Sequence, residues 1–333
     1  MRVLIWHVHG GYTDAFVRGA HEYLLPVNDA RDAWGGGLHG RDWPAARELP
    51  LDLLHDTDID VVVLQRPDEI ELVERLTGRR PGRDLPAVYL EHNTPKPHAT
   101  DTRHPLADRD DIVLAHVSHF NRLFWDNGAA PTRVVEHGVP DPGPRYTGEL
   151  PRSAVVVNEP VRRGRITGTD LLPRFAAVAP VDVFGMGADA LAHLPGVVPA
   201  GDLPPARLHD EMARRRLYLH PLRWTSLGLA LLEAMHLGMP VVGLATTEAP
   251  RAVPPEVGLF TNDLDELTRG IRALMHDPAL AAERGRHARR HVLEHYGLDA
   301  FLHTWDAVLA EAVAGVGGRR VTASLHLGGR SSR

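Results

Sequence analysis

Short apolar runs alternate with segments whose apolar residues recur at helical spacing along nearly the whole chain. In the first half, Arg2–Val8, Ile59–Gln65, Ala87–Glu91, Ile112–Val117 and Arg133–Glu136 read as buried strands, with helices over Glu69–Leu76 and His119–Asp126. In the second half, Ala154–Asn158, Val181–Phe184, Leu217–Leu219 and Pro240–Leu244 read as strands. Leu171–Val178, Ala206–Arg214, Leu229–Leu237, Leu264–His276, Ala279–Glu294 and Leu298–Ala314 read as helices. Alternation of this kind predicts an α/β protein with parallel sheets covered by helices on both faces. The pattern restarts near Ser153, after the turn-rich stretch Pro140-Asp141-Pro142-Gly143-Pro144. Two doubly wound, Rossmann-like domains are therefore expected, over residues 1–145 and 150–295. A helix at about 298–314 is expected to return to the first domain, and 315–333 to form a mobile tail. Two such domains facing each other would place ligands in a cleft at the C-terminal edges of their strands.

One segment carries more chemistry than the rest. Leu219 to Gly243 reads LHPLRWTSLGLALLEAMHLGMPVVG. A strand ends at His220-Pro221, a polar turn holds Thr225 and Ser226, and Leu227-Gly228 opens a helix that Gly238 stops. The first amides of such a helix have no internal partner, and its dipole favours negative charge. Glu233 follows about one turn further on. The segment suits a phosphate with a hydroxyl-rich appendage.

Composition narrows the field. The chain has 333 residues, enough for two ordinary domains, with 43% hydrophobic and 24% charged residues. A net charge of −6 argues against a nucleic-acid partner. Without cysteine, disulfides, thiolate metal sites and a Cys nucleophile are excluded. Lys96 is the only lysine among 37 basic residues, so a single arginine means little unless a motif places it. Met1–Val8 is a strand rather than a secretory leader, and no apolar run reaches the about 18 residues of a membrane span, so a cytoplasmic enzyme is the expectation. His287, His291 and His295 share a helix face, but no carboxylate completes a ligand set and the helix is otherwise rich in arginine. No metal is expected there.

With these segments in view, the chain resembles the family-4 retaining glycosyltransferases of the GT-B fold. Leu217–Gly243 is similar to their donor-site signature, and Val135-Glu136-His137-Gly138-Val139-Pro140 to the strand and turn closing their first domain. Ala154–Phe175 resembles the first strand and helix of the second domain, Val183-Phe184-Gly185-Met186-Gly187 its next glycine turn, and Leu280–Tyr296 its closing helices. The resemblance implies transfer of a sugar from a nucleoside-diphosphate sugar to a small-molecule, glycan or lipid acceptor, with retention of configuration and no obligatory metal or other cofactor. It implies that Glu233 holds the ribose and that Thr225, Ser226, Leu227 and Gly228 bind the donor, the amides of Leu227 and Gly228 meeting its phosphates. It also implies that His92 contacts the transferred sugar and that the loop Gly10-Gly11 approaches the donor.

Two positions depart from the family pattern. Thr225 stands where the first of two glutamates is usual, and Thr167 where a lysine is usual. Arg162 lies five residues before Thr167, at the family's arginine position, and Arg163 or Arg165 is the candidate to replace the lysine charge on the departing diphosphate. The departures leave two alternatives open. One is a glycosyltransferase-like binding or auxiliary subunit without turnover. The other is a different GT-B enzyme, a nucleotide-sugar epimerase or a sugar phosphorylase.

Overall fold

The computed structural model describes residues 1–327 and divides the chain into two units. The first comprises Met1–Gly138 and the chain from Asp299 onward; the second is Val139–Leu298.

In the first unit the strands are β1 (Arg2–Ile5), β2 (Glu22–Val27), β3 (Ala46–Pro50), β4 (Val61–Leu64), β5 (Ala87–Glu91), β6 (Val113–His116) and β7 (Thr132–Val134). They form one parallel sheet in the order β3-β2-β1-β4-β5-β6-β7. Helices α1 (Gly10–Phe16), α2 (Glu69–Thr77) and α3 (His119–Phe124) lie between them in sequence. In β4 the run Val-Val-Val-Leu is buried at every position, as expected of a central parallel strand covered on both faces. Helix ends follow local chemistry. Ser118 caps α3 by accepting from the Asn121 amide, and Gly78 closes α2 in the left-handed conformation (φ 66°).

The second unit repeats the topology. Its strands are β8 (Leu150–Val156), β9 (Val181–Phe184), β10 (Val197–Gly201), β11 (Arg215–His220), β12 (Val241–Gly243) and β13 (Leu259–Phe260). They are again parallel, in the order β10-β9-β8-β11-β12-β13. Interleaved with them are α4 (Pro160–Arg163), α5 (Leu172–Ala176), α6 (Pro205–Arg214), α7 (Leu229–Leu237) and α8 (Ala249–Ala252); α9 (Leu264–His276) and α10 (Pro278–His295) follow. Each sheet has one place where the strand order reverses, between β1 and β4 and between β8 and β11. Open α/β sheets bind ligands outside the C-terminal ends of the strands at such a place.

The last helix, α11 (Leu298–Leu327), belongs to the first unit from Asp299 on. Trp305 is fully buried, packs edge-on against Phe16 and donates its indole N–H to the Tyr12 hydroxyl at 2.9 Å. Arg133 and Glu311 form a two-pronged ion pair. The tail expected from Gly315 thus begins inside α11, and residues 328–333 lie outside those described. At the ends of the second unit, Val139 pairs with Gly297 in an isolated parallel bridge, and the Val139 amide donates to the Tyr296 carbonyl at 3.2 Å.

Four strands differ from the sequence expectation by being present at all: β2, β3, β10 and β13. Three of them are sheet edges, where prolines such as Pro50 and Pro199 are tolerated, and β2 is an inner strand, buried over residues 23–26, that carries Pro26 near its end. Their punctuation reads as loop, and only pairing with a neighbour makes them strands.

Candidate functional site

The loops after β8 and β11 meet at the reversal point of the second sheet. Their backbones are stitched together: the amides of Arg223 and Trp224 donate to the Ile166 carbonyl at 2.8 and 3.3 Å. Gly168 takes φ +71°, and a Cβ there would lie 2.0 Å from the Pro221 carbonyl oxygen. Only glycine allows this approach of the two loops. Arg223 reinforces the contact, donating to both Asp170 oxygens at 2.5 and 3.0 Å and to the Arg165 carbonyl at 2.9 Å.

The three candidate arginines in the first of these loops fare differently. Arg162 is 71% exposed and sits 3.5 Å from the Glu159 carboxylate. Arg165 is 78% exposed and donates to Asp170 at 2.9 Å. Arg163 is half-buried, and its guanidinium has no carboxylate or hydrogen-bond partner among the described residues. Burial, with Arg162 beside it, lowers its hold on its proton. A half-buried cation without a counter-ion is costly unless a ligand supplies the charge. Thr167, at the position where the resemblance expects lysine, is buried and turned inward, donating to the Gly164 carbonyl at 3.0 Å.

In the second loop the Thr225 hydroxyl is buried and has no hydrogen-bond partner among the described residues. Ser226 is buried, its carbonyl accepting from the Glu248 amide at 3.3 Å, and Leu227 packs into the core beneath α7. Gly228 is the N-cap of α7, and no side chain caps that end. A Cβ at Gly228 would stand 3.2 Å from the His220 ring, so the glycine keeps the helix start close to the end of β11. His220 is buried, and desolvation pushes its pKa down to about 3, leaving a neutral ring under the loop. Glu233 is half-buried on α7, with His209 of α6 at 3.7 Å from its carboxylate.

The corresponding end of the first sheet gathers imidazoles. His9 follows β1, His92 follows β5 and His137 follows β7. The His9 and His92 rings are 4.1 Å apart, and Tyr12 meets His92 edge-on at 4.6 Å and His137 at 5.6 Å. Burial, with His9 and His137 alongside, holds the His92 pKa well below the ordinary value. Gly10 and Gly11 are not in an open turn as expected; they form the first turn of α1 behind the N-cap His9. A Cβ at Gly10 would meet only ordinary contacts, at 3.5 Å from His7 and 3.6 Å from Arg41. Close backbone approach is therefore not demanded within the chain at that position. Trp34-Gly35-Gly36-Gly37 is pinned as well. The Trp34 carbonyl accepts from the Trp6 indole at 2.9 Å, and the Arg66 guanidinium stacks on the Trp34 ring at 3.9 Å.

Residues 191–291 match the family model of the glycosyl transferases, group 1. The matched stretch contains both β11 and α7. No curated protein matches by sequence. The fold is shared with solved structures at low identity. HepE of Anabaena, crystallised with UDP and glucose, superposes with a TM-score of 0.70 at 14% identity, covering 93% of this chain and 100% of that one. A sucrose-phosphate synthase of Thermosynechococcus elongatus gives 0.69 at 16%, covering 94% and 99%. TarM, from S. aureus, gives 0.63 at 15%, covering 78% of this chain and only 57% of TarM. The expected pair of doubly wound α/β domains is thus the fold found. Three residues at the candidate sites have no role in the sequence reading: Gln65, His209, and His137, which stands in the motif over residues 135–140. For Gln65 and His137 a signal existed, since each lies just beyond a strand's C-terminal end.

Proposed function

We propose that the protein is a glycosyltransferase that takes a sugar from a nucleoside-diphosphate sugar, with the donor held by the second unit and the acceptor by the first. The observation that carries this reading is the half-buried Arg163, without an ion-pair or hydrogen-bond partner among the described residues, in the loop after β8 that backbone hydrogen bonds tie to the loop before α7. Arg163 meets the diphosphate, the open end of α7 adds backbone amides, and Glu233 receives the ribose hydroxyls. Transfer proceeds with retention and draws its cationic charge from this chain. The bond from the anomeric carbon to the phosphate oxygen breaks as the acceptor oxygen attacks from the same face, and the acceptor proton passes to the departing phosphate oxygen. Negative charge growing on the diphosphate is offset by Arg163 and the amides. The complexes with UDP and glucose in HepE and with UDP-glucose in the same protein support this donor class.

Thermal unfolding against a panel of nucleoside diphosphates and their sugars tests the reading. A ligand at a hundredfold excess over its dissociation constant adds about 2.7 kcal/mol of stability. Glu233→Ala is expected to remove most of that gain. If no nucleoside diphosphate raises the melting temperature, the reading is lost. The inward-turned Thr167 favours one rival, nucleotide binding without turnover. Saturable binding with no nucleoside diphosphate released from any nucleotide sugar, whatever acceptor is offered, would select it.

A further inference from the structure

Gln65 follows β4 directly and is buried beside the first unit's imidazole cluster. Its side-chain N–H donates to the Trp6 carbonyl at 2.8 Å. That bond fixes which way the amide points, because the reverse orientation would set two carbonyl oxygens against each other. Its Oε1 consequently faces His92 Nε2, 3.2 Å away, and can only accept. His92 Nε2 therefore carries the proton, and in the neutral ring Nδ1 carries the lone pair. Nδ1 has no hydrogen-bond partner among the described residues, and the His92 side chain is partly exposed.

The backbone beneath the ring is held as firmly. Glu91 accepts from the Asn93 amide at 2.6 Å and from His104 Nε2 at 3.0 Å. The other nitrogen of His104 accepts from the Leu106 amide at 3.0 Å, which assigns the donated proton to Nε2. The Asn93 carbonyl accepts from Asn121 at 3.1 Å and from the Trp125 indole at 2.9 Å. Neither the ring nor its loop is left to find its own orientation.

We propose that Gln65 is a positioning residue that holds His92 in its Nε2–H form and presents Nδ1 as a hydrogen-bond acceptor for a substrate hydroxyl. The group recognised here is a hydroxyl of the transferred sugar or of the acceptor. A phosphate or carboxylate oxygen would meet a lone pair instead of a proton. Only the identity of the substrate rests on the transferase reading; the tautomer assignment stands on this unit's own geometry.

Imidazole nitrogen NMR on the full chain tests the assignment directly. Wild type is expected to show the Nε2–H form at His92. Gln65→Met, which removes the acceptor at similar volume, is expected to give a mixture, and Gln65→Glu, which keeps an acceptor, to retain the wild-type form. In transfer assays Gln65→Met should lower kcat by roughly ten- to a hundredfold, the scale of lost supporting hydrogen bonds at sites. Affinity for a nucleoside diphosphate should stay the same, and Gln65→Glu should recover part of the rate. An Nδ1–H ring in wild type, or Gln65→Met with unchanged tautomer and turnover, overturns the proposal. A tautomer that follows Gln65 in a protein transferring no sugar sinks the transferase reading alone.

Discussion

Six strands of each sheet follow one order, yet the ends where that order reverses carry different side chains. In the second unit the loops offer charge and donors: Arg163, without a counter-ion among the described residues, and the start of α7, which no side chain there caps. In the first unit the strand ends near the reversal point carry imidazoles, His92 above all, with Arg66 engaged and Arg41, half-buried beside Gly10, without an ion-pair partner among the described residues. Arg66 donates to Glu69 at 2.7 Å and to the Ala33 carbonyl at 2.7 Å while stacking on Trp34. The scaffold fixes where a ligand can sit. The residues just past each strand fix what charge that ligand can have. The second unit's end offers a placed cation and open helix amides, the first unit's a cluster of imidazoles with Arg41 beside it.

The contrast breaks most readily at Arg163. Arg163→Ala is expected to cost about 2 kcal/mol of nucleoside-diphosphate affinity, the scale of hydrogen bonds to a charged group, read by calorimetric titration. His92→Ala should leave that affinity intact and slow transfer. Should both variants weaken nucleotide binding equally, the division of chemistry between the two ends is wrong.

Acid probes a property the two ends share. His116, buried on β6, has its pKa lowered by desolvation to about 4, and His220 at the end of β11 to about 3. Both are neutral in the folded and unfolded chain at neutral pH, so neither costs stability there. Below about 6.5 the unfolded chain takes up protons that the folded protein refuses. Stability should therefore fall with pH from about 6.5 down to about 4 for His116 and about 3 for His220, by about 1.4 kcal/mol per pH unit for each. Denaturant midpoints between pH 7 and 4.5 measure the slope, and His116→Asn should lower it by about 1.4 kcal/mol per pH unit, leaving the share of His220 and of the other rings that burial holds below the ordinary value, His92 among them. A flat profile would mean that these rings find protons or partners in the folded state.

The smallest effect discriminates within one loop. Arg165→Ala removes an exposed pair with Asp170 and should change stability and nucleotide affinity by less than about 0.5 kcal/mol. A loss matching that of Arg163→Ala would make the arginine cluster one diffuse field in place of one placed cation.

Much of this architecture is legible in the amino-acid sequence. The central strands announce themselves, because strands buried on both faces must be continuously apolar, as Val61–Leu64 is. Local signals alone place Gly228 at a helix start and Glu233 one turn beyond. The edge strands are illegible, since their stability comes from a neighbour that sequence does not show. Nor does sequence rank the three arginines. Arg162, Arg163 and Arg165 are alike as residues, and only the positions of Glu159 and Asp170 tell which are occupied. Gln65 is hidden for a related reason: its meaning lies in Trp6 and His92, both remote in the chain.

The bridge between Val139 and Gly297 has a consequence for how such a chain can be taken apart. Paired strands lie only about 4.8 Å apart, so the second unit enters and leaves at nearly one point. In sequence terms it is a cassette spliced into the first unit between Gly138 and Asp299. A cassette with adjoining ends can be excised, closed on itself or exchanged for another with its own β11–α7 segment. The first unit, by contrast, is a chain in two pieces, completed only when α11 returns to cover Tyr12 and Phe16.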